Sequence, residues 1–349
     1  MSSEPFSLAK EIEKVLAKSQ PENNKYEEEE ACDSCENEED STSFENDNFE
    51  YDEECEEVVE ISENEMLAML DAERDPFDVC AQIFDKEKLF GDEYHEDEII
   101  VSPNLTLKHF RELYQRGFVV IDNFIDSEEA NEIYSLTKKI SHTFKPACEL
   151  KSIEDSCDDK FRDNTARSDL IKWLHPKDFT MNESQNSSSS YCSHCSDNEE
   201  DIILWKNNQT LRRIVLQKFK VIQQRLHEFA PCIKHEDEGM ELMWSLYRAT
   251  GTYYEKHRDS FPSNSKDEGP LDQRKVTALL YLNTEWSDEN DGGMLRVFVK
   301  PENAIKHTER IAKEINPIAC RLVLFLSGAV DHEVLKSFKD RVALTSWFS

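Results

Sequence analysis

The sequence predicts an α+β fold, with helices in its N-terminal part and a jelly-roll-like barrel of short strands at its C-terminal end. Three observations carry this reading. After residue 238 the chain breaks into seven runs rich in Val, Leu, Tyr, Phe and Trp, separated by polar turns containing Asp, Asn, Gly and Pro. β-branched and aromatic runs at such spacing favour a closed or sandwiched sheet. Residues 105–117 and 207–230 instead space their apolar positions at helical intervals. Charge, finally, is segregated: residues 1–100 carry 35 acidic and 7 basic side chains, a net of −28 in a chain whose total is −33. The acidity therefore belongs to an N-terminal extension, ahead of a nearly balanced domain over 101–349.

Within the extension, Phe6, Leu8, Ile12, Val15 and Leu16 fall at the spacing of a short amphipathic helix. Residues 20–65 hold too little apolar surface to offset the entropy of ordering, so they read as disordered. Residues 64–90 regain apolar spacing (Met66, Leu70, Phe77, Ile83, Phe84), enough for one or two short helices, docked or free. LTLKHFRELYQRG (105–117) reads as a helix ended by Gly117. FVVIDNFI (118–125) reads as a strand, and Asp126-Ser127-Glu128-Glu129 as the start of a helix running to about 141. Residues 180–202, rich in Ser, Asn and acid, read as a disordered loop. Residues 207–230 form a long amphipathic helix carrying Leu211, Ile214, Val215, Phe219, Ile222 and Leu226. The barrel occupies about 239–349, with strands in MELMWSLYRA, GTYYEKHRD, KVTALLYLN, GMLRVFVK, ACRLVLFLS, HEVLKS and RVALTSWFS. No internal repeat is visible.

Composition excludes several classes. The first twenty residues lack the apolar core of a secretory signal, and no run of about 18 apolar residues could cross a membrane. Ten cysteines without a signal peptide point to free thiols in a reducing compartment, the cytoplasm or nucleus. An acidic surface repels phosphate backbones, so nucleic acid is not the expected partner, and neither is a membrane. Cys32-X-X-Cys35 and Cys192-X-X-Cys195 invite a zinc reading, but a tetrahedral site needs four ligands and the pairs lie far apart in regions that read as disordered, which favours surface thiols.

The chemistry sits in the strand region. His257, Asp259 and His332 are two imidazoles and a carboxylate, the set that binds one face of a non-haem iron(II) ion and leaves three positions open. Residues i and i+2 of a strand share a face, so His257 and Asp259 can grip one metal while a barrel brings His332 from a distant strand. Arg341, on the last strand, suits paired hydrogen bonds to a carboxylate. Alone, this spacing is also what a solvated, charged loop would show.

YRATGTYYEKHRD, RKVTALLYLN, DGGMLRVF, RLVLFLS, DHEV and RVALTSWF, in that order, resemble the prolyl 4-hydroxylase-like 2-oxoglutarate oxygenases, and within them the intracellular, hypoxia-sensing prolyl hydroxylases. The resemblance spans about 105–349 and is strongest over 243–349. It implies that the barrel is a double-stranded β-helix. It implies that His257, Asp259 and His332 are the iron ligands and that Arg341, assisted by Tyr281, anchors 2-oxoglutarate. Tyr247, Thr345 and Trp347 then line the cosubstrate pocket. ARSDLIKW (166–173) places Arg167, Asp169 and Trp173 near the active-site mouth, and Arg274 matches a basic position near bound peptide. There are departures: the 260–273 loop differs from the animal sensors, and Asp331 replaces the proline common before the second histidine.

What the resemblance implies is 4-hydroxylation of a prolyl residue in a protein, using Fe(2+), 2-oxoglutarate and O2 as cofactor and cosubstrates, with L-ascorbate as reductant. A proline-containing protein or peptide is the implied partner, and a monomer the implied state. Two other readings stay open: oxygenation of a different protein residue or a small molecule, and a non-catalytic iron-binding scaffold. A nucleic-acid demethylase is disfavoured by the acidic charge and by the lack of a second arginine after Arg341.

Overall fold

The computed structural model describes residues 75–92, 95, 97–102, 104–147, 166–179, 199–262, 274–287, 290–301 and 309–349. The N-terminal amphipathic helix, the acidic stretch 20–65, both Cys-X-X-Cys pairs and most of the 260–273 loop lie outside the described residues.

Two antiparallel sheets form the core. The larger has seven strands and the smaller four. In chain order the strands are β1 (Ile99–Ser102), β2 (Leu105–Thr106), β3 (Phe118–Ile121), β4 (Lys145–Pro146), β5 (Leu170–Leu174), β6 (Met240–Tyr247), β7 (Thr252–His257), β8 (Val276–Tyr281), β9 (Leu295–Val299), β10 (Ile311–Ile315), β11 (Leu322–Leu326), β12 (Asp331–Ser337) and β13 (Arg341–Phe348). The large sheet runs β3-β11-β8-β13-β6-β5-β4 and the small one β10-β9-β12-β7. From β6 onward successive strands cross between the two sheets, apart from the β9–β10 pair, which stays in the small one. This is a double-stranded β-helix, the expected fold class. β8, β11 and β13 are buried on both faces, which is why they read as continuous apolar runs.

Helices flank the sheets. α1 (Pro76–Ala81) and α2 (Lys86–Phe90) are each capped by an aspartate, Asp75 and Asp85. Phe77, Cys80, Ile83, Phe84 and Leu89 belong to the same buried cluster as the strands, so the residues left open as docked or free are docked over 76–90. Asp75 is held by Lys300 at 2.6 Å and Arg310 at 3.3 Å. α3 (Leu107–Arg116) ends at Gly117, whose φ of 75° only glycine adopts readily, and a side chain there would strike the Phe77 ring. α4 (Ser127–Lys139) opens with the expected capping box: Glu129 N donates to Asp126 Oδ1 at 2.7 Å, and Asp126 N to Glu129 Oε2 at 3.1 Å.

The expected loop at 180–202 needs correction at its end. Residues 180–198 lie outside the described residues, but Glu199–Lys206 forms α5, which buries Trp205 against Phe179. The long helix is present as α6 (Gln209–Arg213) and α7 (Lys220–Phe229), joined through a π-helical stretch, Ile214–Phe219. β10 was not singled out in the sequence. It is an edge strand with mostly exposed side chains, and so lacks an apolar pattern. Among the described residues, no helix is long and apolar enough to cross a membrane.

Candidate metal centre and cosubstrate pocket

His257 ends β7 and His332 lies near the start of β12, directly opposite it in the ladder. The pairing is irregular. His332 faces His257 and Val334 faces Tyr254, so two steps on β12 match three on β7. Such a bulge re-aims side chains, and here it brings Tyr254 and His257 face to face, with ring centroids 3.6 Å apart and nearly parallel planes. Asp259 is not on the strand, contrary to the strand-alternation argument. It lies in the turn two residues past the end of β7, yet its Oδ1 stands 3.6 Å from His257 Nε2 and 3.7 Å from His332 Nε2.

Those separations are too long for hydrogen bonds, and each side chain has its other polar atom engaged. His257 Nδ1 bonds the Glu255 carbonyl at 2.7 Å, and His332 Nδ1 the Val330 carbonyl at 3.1 Å. These bonds place the proton on Nδ1 and leave both Nε2 lone pairs free. Asp259 Oδ2 accepts from Thr277 Oγ1 at 2.7 Å and from Trp347 Nε1 at 2.9 Å, which leaves Oδ1 free. Among the described residues, this trio offers three ligand atoms all within 4.8 Å of one another. Burial first, and then His332, push the His257 imidazole down to about 3, so it is neutral at physiological pH. Burial acts against ionisation of Asp259, but His332 and His257 outweigh it and hold the carboxyl below its usual value. Two imidazoles and a carboxylate, each oriented by a hydrogen bond on its far atom, fit a divalent iron ion and its outer-shell requirements.

The second group lies on the large sheet. Arg341 opens β13, opposite Tyr247 on β6, and is 1% exposed. Its Nε donates to the Gly293 carbonyl at 2.9 Å, and its Nη2 lies 3.4 Å from the Tyr281 hydroxyl. The guanidinium is flanked by the Tyr247 ring at 4.7 Å and the Tyr281 ring at 5.0 Å. Burial raises both phenols, so each stays protonated as a donor. Strand alternation puts Thr345 and Trp347 on the same face of β13 as Arg341, and Thr345 is buried. Arg341, Tyr281 and Tyr247 thus lie together in the structure.

Arg274, Trp173, Arg167 and Asp169, which the resemblance sets near a site mouth or bound peptide, form a third group. Arg274 stacks over the Trp347 ring at 4.2 Å and makes paired bonds to Glu241 at 2.9 and 2.6 Å. Trp173, 50% exposed, packs on Trp347 at 5.7 Å. Arg167 binds Asp169 through two 2.9 Å bonds and stacks on Tyr254, which in turn covers His257. Sequence reasoning missed Thr277, Tyr254 and Gly293. Thr277 was findable, since it shares the face of Tyr281 at four residues' remove. Tyr254 was hidden by the bulge.

Residues 242–349 match the model of the 2OG-Fe(II) oxygenase superfamily, a stretch that contains His257, Asp259, Tyr281, His332 and Arg341. The chain is also similar to curated prolyl hydroxylases. The hypoxia-inducible factor prolyl hydroxylase of Caenorhabditis elegans is 29% identical over 245 residues, which cover 68% of this chain and 27% of that protein. Prolyl hydroxylase EGLN3 of Mus musculus is 33% identical over 112 residues, 32% of this chain and 41% of that protein. The chain thus spans well under half the length of these curated relatives. A prolyl hydroxylase from Trichoplax adhaerens, solved with a hypoxia-inducible factor oxygen degradation domain peptide fragment, is 24% identical. The match covers 69% of this chain and 86% of that chain, with a TM-score of 0.46.

Proposed function

We propose that this protein is an iron(II)- and 2-oxoglutarate-dependent dioxygenase that 4-hydroxylates prolyl residues of a protein, in an oxygen-sensing role. The observation that carries the reading is the trio of free ligand atoms on His257, Asp259 and His332, set in the same barrel as a buried arginine with unused donors. Its likeness to a relative named as a hypoxia-inducible factor prolyl hydroxylase, over 68% of the chain, supports the substrate class.

In this reading His257, Asp259 and His332 hold the iron, and Arg341 and Tyr281 hold the distal carboxylate of 2-oxoglutarate. Iron with 2-oxoglutarate and dioxygen supplies the oxidation that places one oxygen atom in a substrate C–H bond and releases succinate and carbon dioxide. The protein's own share is positioning and exclusion of water. The carbonyls of Glu255 and Val330 fix the imidazole orientations, and Thr277 with Trp347 fixes the carboxylate. Tyr247 and Tyr281 wall Arg341 from solvent, which strengthens its bonds to a bound carboxylate. Trp173 and Trp347 offer an apolar platform for a proline ring, and Arg274, anchored by Glu241, borders it.

Ascorbate serves as the reductant that keeps the iron ferrous. The protein acts as a monomer on a proline-containing peptide segment in the cytoplasm or nucleus, with neither nucleic acid nor a membrane as partner. Because α1 and α2 contribute core residues, we place the start of the catalytic domain just before Asp75, with the acidic extension ahead of it.

The test is incubation with iron(II), 2-oxoglutarate, ascorbate and a panel of proline-containing peptides. Succinate release with the mass gain of one oxygen atom on a prolyl residue is expected. Succinate release with oxygen on another residue type would replace the substrate assignment. No turnover with any peptide, and none of 2-oxoglutarate alone, would overturn the reading.

A further inference from the structure

The residues beside the metal ligands make a contact that the catalytic reading does not use. Arg258 sits between His257 and Asp259, and Asp331 immediately precedes His332. The two meet across the β7–β12 junction: Arg258 Nε donates to Asp331 Oδ1 at 2.7 Å. The arginine side chain is 1% exposed and the aspartate side chain 16%. Lys256, on the other side of His257, brings its Nζ to 3.3 Å from Asp331 Oδ2 while lying over the Phe298 ring at 4.5 Å. One carboxylate is therefore clasped by the two cations that flank the first histidine, and it belongs to the residue next to the second.

The placement matters because the backbone alone fixes this junction poorly. The β7–β12 ladder shifts register between His332 and Val334, and again before Ser337. Bulges interrupt the ladder of hydrogen bonds that holds antiparallel strands at a set separation. Each imidazole is oriented by the carbonyl two residues before it in the chain. Those bonds aim each ring but do not set the distance between the strands that carry them. The Arg258–Asp331 bond does span that distance, one residue from each ligand. A buried ion pair adds little net stability, because desolvation offsets the attraction, and its best-attested use is to fix register.

We propose that Arg258 and Asp331 form a positioning pair that sets the separation of His257 and His332, and so the affinity and geometry of the bound metal. This rests on the reading of the triad as a metal centre. Neither residue touches the metal in this account; both act through the histidines.

The experiment titrates metal-free protein with cobalt(II), followed by the visible absorption of the ion, alongside thermal melting without metal. Two variants are compared with the native chain. Arg258→Met with Asp331→Leu replaces the pair by apolar side chains, and Asp331→Glu keeps the charge on a longer arm. The double variant should bind cobalt roughly tenfold more weakly or worse, the scale seen when groups supporting metal ligands are removed. Its absorption band should also be altered, while its metal-free melting temperature stays near that of the native chain. Asp331→Glu should shift the band with melting unchanged, and it carries the test if the double variant does not fold. Native affinity and an unchanged band in a folded variant would show the pair to be structural only and would overturn the proposal. Failure of the native chain itself to bind cobalt would instead overturn the metal-centre reading on which the proposal rests.

Discussion

Replacing Arg341 by lysine tests the cosubstrate pocket most sharply, because it keeps the charge and removes the fork. The guanidinium has five N–H donors. Nε is committed to the Gly293 carbonyl and one Nη2 donor points at the Tyr281 hydroxyl, leaving three for a ligand. Two of these can pair with a carboxylate. A lysine keeps the attraction but supplies one directed bond and abandons Gly293. Hydrogen bonds to charged groups contribute about 1.5–3 kcal/mol each, and about 1.4 kcal/mol is tenfold. The variant should raise the apparent Michaelis constant for 2-oxoglutarate roughly ten- to hundredfold. Iron binding should be preserved, because the proposed ligands sit on β7, the following turn and β12. The assay is succinate formation against 2-oxoglutarate concentration at saturating iron. An unchanged constant would refute the assignment of Arg341 as the anchor.

The remaining predictions touch other parts of the fold. Removing residues 1–62 should leave the melting temperature unchanged, whereas a chain starting near residue 101 should melt well below it or aggregate, since Phe77, Cys80, Ile83, Phe84 and Leu89 leave the core. At about 1.5–3 kcal/mol per fully buried apolar side chain, the loss of these side chains is comparable to the whole margin of a typical domain. Equal melting of the two chains would return the boundary to residue 100. Gly293→Ala should destabilise the protein by about 1–2 kcal/mol, because φ there is 63° and a Cβ would crowd Ser337, Trp286 and the Arg341 side chain. Its 2-oxoglutarate constant should rise while metal affinity holds, which separate titrations would check. The His257 imidazole, pushed down to about 3 in the fold, titrates near 6.5 when unfolded. Between those values only the unfolded chain binds the proton, so this group's contribution is intact above about pH 6.5 and is lost as pH falls toward 3. Melting of metal-free protein at several pH values should show that fall, and a His257→Gln variant should show a shallower one.

Much of this was legible in the chain because the signals are local. The capping box at Asp126 and Glu129 and the stop at Gly117 are set by neighbours within one turn. The apolar runs of β8, β11 and β13 announce strands buried on both faces. The metal trio was legible through residue type, though not through its assumed geometry: Asp259 reaches the site from a turn. What escaped depends on tertiary pairing. The bulge that aligns Tyr254 with His257 comes from a register fixed by a strand some 80 residues later. The Arg258–Asp331 bond joins residues 73 apart and has no local signature. β10 looked polar because an edge strand shows most of its side chains to water. α5 hid behind a Ser- and Asn-rich stretch whose composition dominated the window around it.

If His257, Asp259 and His332 hold one iron(II) ion, 2-oxoglutarate turnover depends on that ion and on each of the three side chains. The most direct measurement is succinate formed from 2-oxoglutarate, with and without iron(II), by the native chain and by His332→Ala. Substituting His332 removes one of the three candidate ligand atoms found together among the described residues, while the apolar strands that hold the barrel are untouched. The account predicts iron-dependent succinate from the native chain and none above background from a folded variant. Equal succinate from both at the same iron concentration would contradict it.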